Sequence, residues 1–373
     1  MVIGLFPELE APGGIQRVGR HVGAVTAAWA AERGEACRFF SLNDPPGLHR
    51  ITLAGTEFVF TGYERGKGAF AWNALRAAGR RGERSGLVYA AHVNLAPVAA
   101  LVKARRPGLR MLVLTHGVEV WTPLGRLRRW ALRRADLVLA PSRDTAEQVV
   151  ARQGIPKERV RQVAWGLDPI LEMPDGSGVE NHLPKNFPPG RVVLTVGEWR
   201  AAEKYKGLDT LISALPRLLQ KVPDVWLVAV GGGDDRERLE GLARKSGVSE
   251  RVRFLDVLTQ QELRSCYARC DVFALPSKGE GFGLVFLEAM AQGKPVVGGA
   301  HGGTPDVVED GVTGMLVPHG EAERLAGALE RLLGDAELSA AMGRRGRERV
   351  EQIYRFEHFS TRLKEILGSL CAS

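Results

Sequence analysis

The chain lacks any apolar run long enough to cross a bilayer. Its most apolar window, residues 89–102, is interrupted by His92, Asn94 and Pro97 and falls short of the roughly 20 residues that a spanning helix needs. Residues 2–6 are apolar but run into Pro7 and Glu8, without the charged start and longer apolar core of a secretory leader. Both absences predict a cytoplasmic chain. Cysteine is scarce. Cys37, Cys266, Cys270 and Cys371 form no Cys-x-x-Cys pair and have no histidine at metal-ligand spacing, which argues against zinc and predicts reduced thiols. Cys266 and Cys270, four apart on a helical stretch, read as packing residues. There is also no Asp-x-Asp pair, so the sequence offers no motif for a carboxylate-held Mg²⁺.

What is present is the composition of an ordinary soluble globular protein, 45% hydrophobic and 25% charged. The length of 373 residues predicts two domains. The net charge of +8 is uneven: residues 1–190 hold 26 Lys+Arg against 17 Asp+Glu, and the remainder 25 against 26. The excess gathers at Arg76, Arg80, Arg81 and Arg84, at Lys103, Arg105, Arg106 and Arg110, and at Arg126, Arg128, Arg129, Arg133 and Arg134. Such clusters attract an anionic partner, whether a membrane leaflet, a nucleic acid or a phosphorylated acceptor. A solvated basic face is the simpler alternative. Residues 124–137 interleave Leu127, Trp130, Ala131 and Leu132 with five arginines, a pattern that fits an interfacial helix and a half-buried domain helix equally well.

Strand and helix signals alternate along the chain, as in βαβ units on parallel sheets. Strands are expected at 2–6, 36–40, 87–91, 111–115, 137–140, 191–196, 226–230, 252–255 and 271–275, with another starting at Pro295. Residues 169–190 are rich in proline and glycine, show little periodicity and read as a linker. From about Ala322 onward the pattern is helical, with Gly327, Gly334 and Gly343 as weak points. These boundaries give an N-terminal Rossmann-like domain at 1–168 and a C-terminal one at 191–354.

The densest signal lies at 276–291, where Glu280 and Glu288 are separated by seven residues and Gly281 and Gly283 follow the first. Pro276 stops the preceding strand, a helical pattern runs from Gly283 to Gln292, and Gly293 suits its C-terminal cap. Glu280 is therefore expected in a loop at the carboxyl end of a strand, where open α/β sheets bind ligands. Glu288 is expected inside the helix, where a partly buried carboxylate needs donors such as ribose hydroxyls. The Gly281-Phe282-Gly283 turn offers N–H groups to a phosphate, and Glu280 could accept from hydroxyls of a second sugar. These parts describe a nucleotide-sugar site. A surface Glu280 and a Glu288 paired with an arginine is the competing reading. After the strand at 191–196, Arg200, Lys204 and Lys206 could meet phosphates. In the N-terminal half, Gly13-Gly14 permits close approach of the backbone to a phosphate, and His116 follows a strand at its carboxyl end.

Taken together, these segments resemble the retaining glycosyltransferases of family 4, which have the GT-B fold. The resemblance is carried by 276–291 and, in the family's order, by Gly13-Gly14 with Arg17, His116-Gly117, Ala140-Pro141-Ser142, Gly166-Leu167-Asp168 and Val196-Gly197 with Tyr205-Lys206-Gly207. Gly231-Gly232-Gly233, residues 271–277, 302–308 and 310–318 complete it. It implies two Rossmann-like domains with parallel sheets facing across a cleft, and a final helix, 355–373, packing back on the first domain. It further implies that Glu288 holds the donor ribose and Glu280 the transferred sugar. Lys206 and the N–H groups of Phe282, Gly283 and Leu284 would bind the diphosphate, Gly13 and Gly14 would approach it, and His116 would lie near the reacting centre. One position departs: the family commonly has arginine after the Val-Gly pair, and here Glu198 stands there, leaving Arg200 or Lys204 to substitute.

The expected activity is transfer from a nucleoside diphosphate sugar, a UDP-sugar ahead of GDP-mannose, to an acceptor hydroxyl with retention and without cofactor or metal. The acceptor would be a glycan, a lipid-linked sugar or a small molecule in envelope glycan, lipopolysaccharide or glycolipid synthesis. The enzyme would be cytoplasmic, peripheral at the inner face of the membrane through its basic domain, and without a nucleic-acid partner. The alternatives are a nucleotide-sugar epimerase of the same fold and a non-catalytic binder of sugar nucleotides or nucleic acid.

Overall fold

The computed structural model describes residues 1–79, 86–172 and 182–372. Arg80, Arg81 and Arg84 of the first basic cluster, and 173–181 of the expected linker, lie outside the described residues. Met1–Pro169 and the chain from Arg355 onward form one compact unit; Ile170–Tyr354 form a second.

The first unit is built on an eight-stranded sheet. Its strands are β1 (Val2–Phe6), β2 (Cys37–Ser41), β3 (Gly47–Leu53), β4 (Thr56–Gly62), β5 (Gly86–Ala90), β6 (Leu109–Leu114), β7 (Leu137–Ala140) and β8 (Val160–Gln162). They lie in the order β3-β4-β2-β1-β5-β6-β7-β8. Strands β1, β5 and β7 are buried along their whole length, as covering helices on both faces require. The expectation of a wholly parallel sheet needs correction at one edge, because β3 pairs antiparallel with β4. The hairpin turns on Ala54 and Gly55, both at positive φ (48° and 76°), as a two-residue turn with the right-handed strand twist demands. β3 alternates exposed and half-buried residues, a two-sided edge pattern with no strong apolar signal, which is why its period was not read. The terminal helix Phe356–Ala372 belongs to this unit and packs on the first helix, Gly14–Glu32.

The second unit has six strands, β9 (Arg191–Val196), β10 (Val225–Val230), β11 (Val252–Leu255), β12 (Val272–Leu275), β13 (Val296–Gly299) and β14 (Gly314–Val317). All pairings are parallel, in the order β11-β10-β9-β12-β13-β14. Each sheet thus reverses its winding once, between β1 and β5 in the first unit and between β9 and β12 in the second. Those are the topological switch points at which ligands bind doubly wound sheets.

Several local expectations shift. Pro169–Glu172, at the head of the expected linker, is a short helix. Cys270 caps the helix Gln260–Arg269 instead of lying in it. Of the three weak points in the C-terminal helices only Gly334 is a break: it ends one helix, and Asp335 caps the next with its side chain, while the chain stays helical through Gly327 and Gly343 and changes again at a π turn over Val350–Tyr354. Gly343 is used differently: a Cβ there would collide with the Gly293 carbonyl, so the glycine permits two segments to touch. Among the described residues no helix is long and apolar enough to cross a membrane, and no group of three or more His, Cys, Asp or Glu side chains is arranged to hold a metal.

Candidate active site

In the second unit the loops after β9 and β12, on either side of the switch point, are fastened to one another through the backbone. Lys278 N–H donates to the Tyr205 carbonyl at 2.6 Å. Gly207, at φ 82°, begins the next helix so close to the β12 loop that a Cβ would lie 2.5 Å from the Pro276 oxygen. Glycine is the residue that meets both demands. Glu280 is held in turn by the loop after β13. It forms a parallel bridge with Gly302, and Gly303 N–H donates to its carbonyl at 2.6 Å. Sequence spacing brought Lys206, Glu280 and Glu288 to neighbouring elements; these bonds are what hold the first two together.

Glu280 is half-buried, and its Oε1 is enclosed without a hydrogen-bond partner. Burial raises its carboxyl to about 7; Lys206 opposes the rise and Glu203 adds to it. Ser277, in the loop after β12, and Thr304, the first residue of the short helix Thr304–Val307, are fully buried and their hydroxyls also lack partners. Buried polar atoms of native proteins are almost always satisfied, so these three, on adjoining segments after β12 and β13, offer bonding capacity to another molecule. Ser277 and Thr304 were not singled out from sequence, because an isolated hydroxyl residue carries no signal without its surroundings.

The helix Leu284–Ala291 starts from Gly283 in the left-handed region (φ 97°). Its first N–H groups have no carbonyl of their own helix to reach and carry the positive end of its dipole. Phe282, buried against Tyr354 with ring centroids 5.9 Å apart, fixes the loop just before that helix start. Glu288 is 2% exposed, on the inner face of the same helix.

Among the three cations of the β9 loop, only Lys206 is half-buried, and it is the one that acts on Glu280. Arg200 is exposed and pairs with Glu198 at 2.7 Å; Lys204 is exposed. Glu198, the residue at the departing position, thus holds Arg200 within the loop. Trp199 anchors that loop: its N–H donates to the Gly232 carbonyl at 2.8 Å, and its carbonyl accepts from Asp235 N–H at 3.0 Å. Gly233 lies against the Trp199 backbone where no Cβ would fit.

In the first unit the corresponding loops follow β1, β5 and β6. Gly13, at φ 139°, precedes the helix Gly14–Glu32 and supplies no side-chain cap, and Gly14 is exposed at the helix start. The loop leading to them is tied down by buried Asp44, which accepts from Leu9 N at 2.7 Å and Glu10 N at 3.1 Å. His116 is half-buried; its Nε2 donates to the Ala91 carbonyl at 2.7 Å, leaving Nδ1 as the other ring position. Its ring stacks on His92 at 5.6 Å with 18° between planes, and Trp165 lies 6.0 Å away. Burial, then the neighbouring His116, lowers His92 to about 4, so that His92 is neutral at physiological pH. His92 Nδ1 accepts from Asn94 N–H, and Asn94 Oδ1 accepts from Arg128. The sequence assigns Asp44, His92 and Trp165 no role at the site, since the residues they meet there, Leu9, Glu10 and His116, lie far along the chain.

Residues 184–349 match the family described as Glycosyl transferases group 1, and residues 18–170 match Glycosyltransferase Family 4. A GDP-mannose-dependent alpha-(1-6)-phosphatidylinositol monomannoside mannosyltransferase of Mycolicibacterium smegmatis is 36% identical over 286 residues, 73% of this chain and 74% of that protein. The chain belongs to glycosyltransferase family 4. A D-inositol 3-phosphate glycosyltransferase of Nocardia farcinica is 34% identical over 57% of this transferase and 48% of that protein. Among solved structures, sucrose-phosphate synthase from Thermosynechococcus elongatus has a TM-score of 0.77 at 23% identity, covering 100% of this chain and 99% of that one. Anabaena Alr3699/HepE in complex with UDP-glucose gives 0.76 at 22%, covering 99% of both. At such identity these likenesses speak for the fold alone, which is GT-B.

Proposed function

We propose that this glycosyltransferase moves a sugar from a nucleoside diphosphate sugar to an acceptor hydroxyl, with retention at the anomeric carbon and without a divalent metal. The observation that carries the proposal is Glu280, a carboxylate with an enclosed, unpartnered oxygen beside Lys206 and one loop from a helix N-terminus. In this reading Glu288 accepts from the ribose hydroxyls. Lys206 and the N–H groups of Phe282, Gly283 and Leu284 take the diphosphate charge, which is the role a metal would otherwise fill. Glu280 accepts from hydroxyls of the transferred sugar. The departing phosphate then receives the acceptor's proton on the face it leaves, and catalysis rests on positioning and on stabilising the leaving group. The roles expected of Gly13, Gly14 and His116 belong to the same proposal. Arg200 is the weakest member, since Glu198 already holds it.

The names of the relatives move GDP-mannose ahead of the UDP-sugar expected from sequence, and they favour an inositol-bearing or lipid-linked acceptor. The helix Arg126–Leu132 supports work at an anionic membrane: Leu127 and Trp130 are 63% and 39% exposed among its arginines. Incubation with GDP-mannose, UDP-glucose or UDP-galactose in EDTA, scored for donor hydrolysis and for transfer to phosphatidylinositol lipids, tests the reading. Turnover with one donor and an unchanged rate in EDTA are expected. Strict dependence on Mg²⁺ or Mn²⁺ would contradict the metal-free mechanism.

A further inference from the structure

Lys206 is already occupied. Its Nζ lies 2.6 Å from Glu203 Oε2, the two side chains being 16% and 25% exposed, and it donates to the Glu198 carbonyl at 3.3 Å. Glu203 stands where the backbone leaves helical geometry (φ −116°, ψ 27°), so that the run Ala201–Lys206 is two short turns joined at a kink. Across that kink its carboxylate meets the side chain three residues on. Arg200 is engaged in the same manner by Glu198. Two of the three cations in this loop therefore hold carboxylates of the same loop.

We propose that Glu203 is a built-in anion that pairs with Lys206 and is displaced by the diphosphate of the donor, so that Glu203 sets donor affinity. A carboxylate and a phosphate compete for one ammonium group, and a half-buried pair is screened less than one on the surface. Binding must break the Glu203–Lys206 pair before Lys206 can serve the ligand, and that cost is subtracted from the gross attraction. Glu203 also adds to the negative field that raises Glu280. A diphosphate entering there meets like charge as well as a competitor, and both effects weaken binding.

The sign of the effect separates this role from a structural one. Glu203→Gln keeps length and shape but removes the charge, and it is expected to tighten GDP and UDP binding about twofold to fivefold, the upper part of the range of a partly exposed ion pair. A residue that merely supports the loop would weaken binding when changed. The inference rests on Lys206 contacting the diphosphate, so calorimetric titration of GDP and UDP is done on wild type, Glu203→Gln, Lys206→Ala and the double variant. Lys206→Ala should weaken binding about tenfold or more, and adding Glu203→Gln to it should restore only the part of the loss owed to like charge. Glu203→Asp, a folded-state control with the charge on a shorter arm, should fall between wild type and Glu203→Gln. If Lys206→Ala binds weakly while neither Glu203 variant binds more tightly than wild type, the proposal for Glu203 is overturned. If Lys206→Ala binds like wild type, the diphosphate reading itself fails.

Discussion

The loops at the two switch points solve one problem with different materials. In the second unit, backbone fastens backbone: Lys278 to Tyr205, Gly303 to Glu280, and Gly207 against Pro276. Such contacts need glycine where φ is positive or where no Cβ fits, and glycines at fixed offsets from a strand leave a trace in the sequence. In the first unit, side chains do the fastening across long separations. Asp44 holds Leu9 and Glu10, while Arg128, Asn94, His92 and His116 form a chain from a basic helix to the β6 loop. A side-chain fastener can sit anywhere in the chain that the fold brings near, and it leaves no local pattern.

That difference accounts for what was legible. The alternation of strands and helices gave most elements within a residue or two and, with the length, predicted two domains; the family resemblance added the return of the last helix to the first. The placement of Glu280 after β12 and Glu288 in the next helix followed from Pro276, Gly283 and the apolar periodicity. The hairpin of β3 and β4 was missed because its outer strand alternates without a strong apolar face. Ser277, Thr304, His92 and Asp44 were missed for another reason: burial defines their importance, and burial is a property of the fold. The pairing of Arg200 with Glu198 and of the half-buried Lys206 with Glu203 was likewise illegible, because the chain's path around the loop decides which charges meet.

The contrast can be sharpened by substitution. The largest loss of binding is expected from Glu288→Ala, which removes the buried carboxylate proposed to accept from the ribose. Charge-assisted hydrogen bonds of about 1.5–3 kcal/mol predict roughly 10- to 150-fold weaker GDP or UDP binding by calorimetry. Binding unchanged in that variant would remove Glu288 from the site.

A second test compares two glycines by urea unfolding. Gly207→Ala would place a methyl 2.5 Å from the Pro276 oxygen at φ 82°, whereas at Gly34, φ 65°, a Cβ meets nothing within 4 Å. Losses of about 2–4 kcal/mol and about 1 kcal/mol are expected. Equal losses would mean that the backbone fastening of the β9 and β12 loops is not tight.

The smallest effect concerns the first unit's surface. Trp130→Ala should reduce sedimentation with anionic liposomes a few-fold at low salt and leave donor binding unchanged. An absence of sedimentation in wild type would remove the membrane from the account.

The most direct test of the donor site is the pH dependence of transfer by Glu280→Gln. The carboxyl is raised to about 7 by burial, so its accepting, ionised form accumulates as the pH climbs through 7. The wild-type kcat/KM should rise through that range. Glu280→Gln should bind GDP or UDP within about twofold of wild type, lose transfer by about 100-fold at pH 8, and lose the inflection near 7. Normal transfer by this variant, or an inflection that survives in it, would contradict the assignment of Glu280 to the transferred sugar.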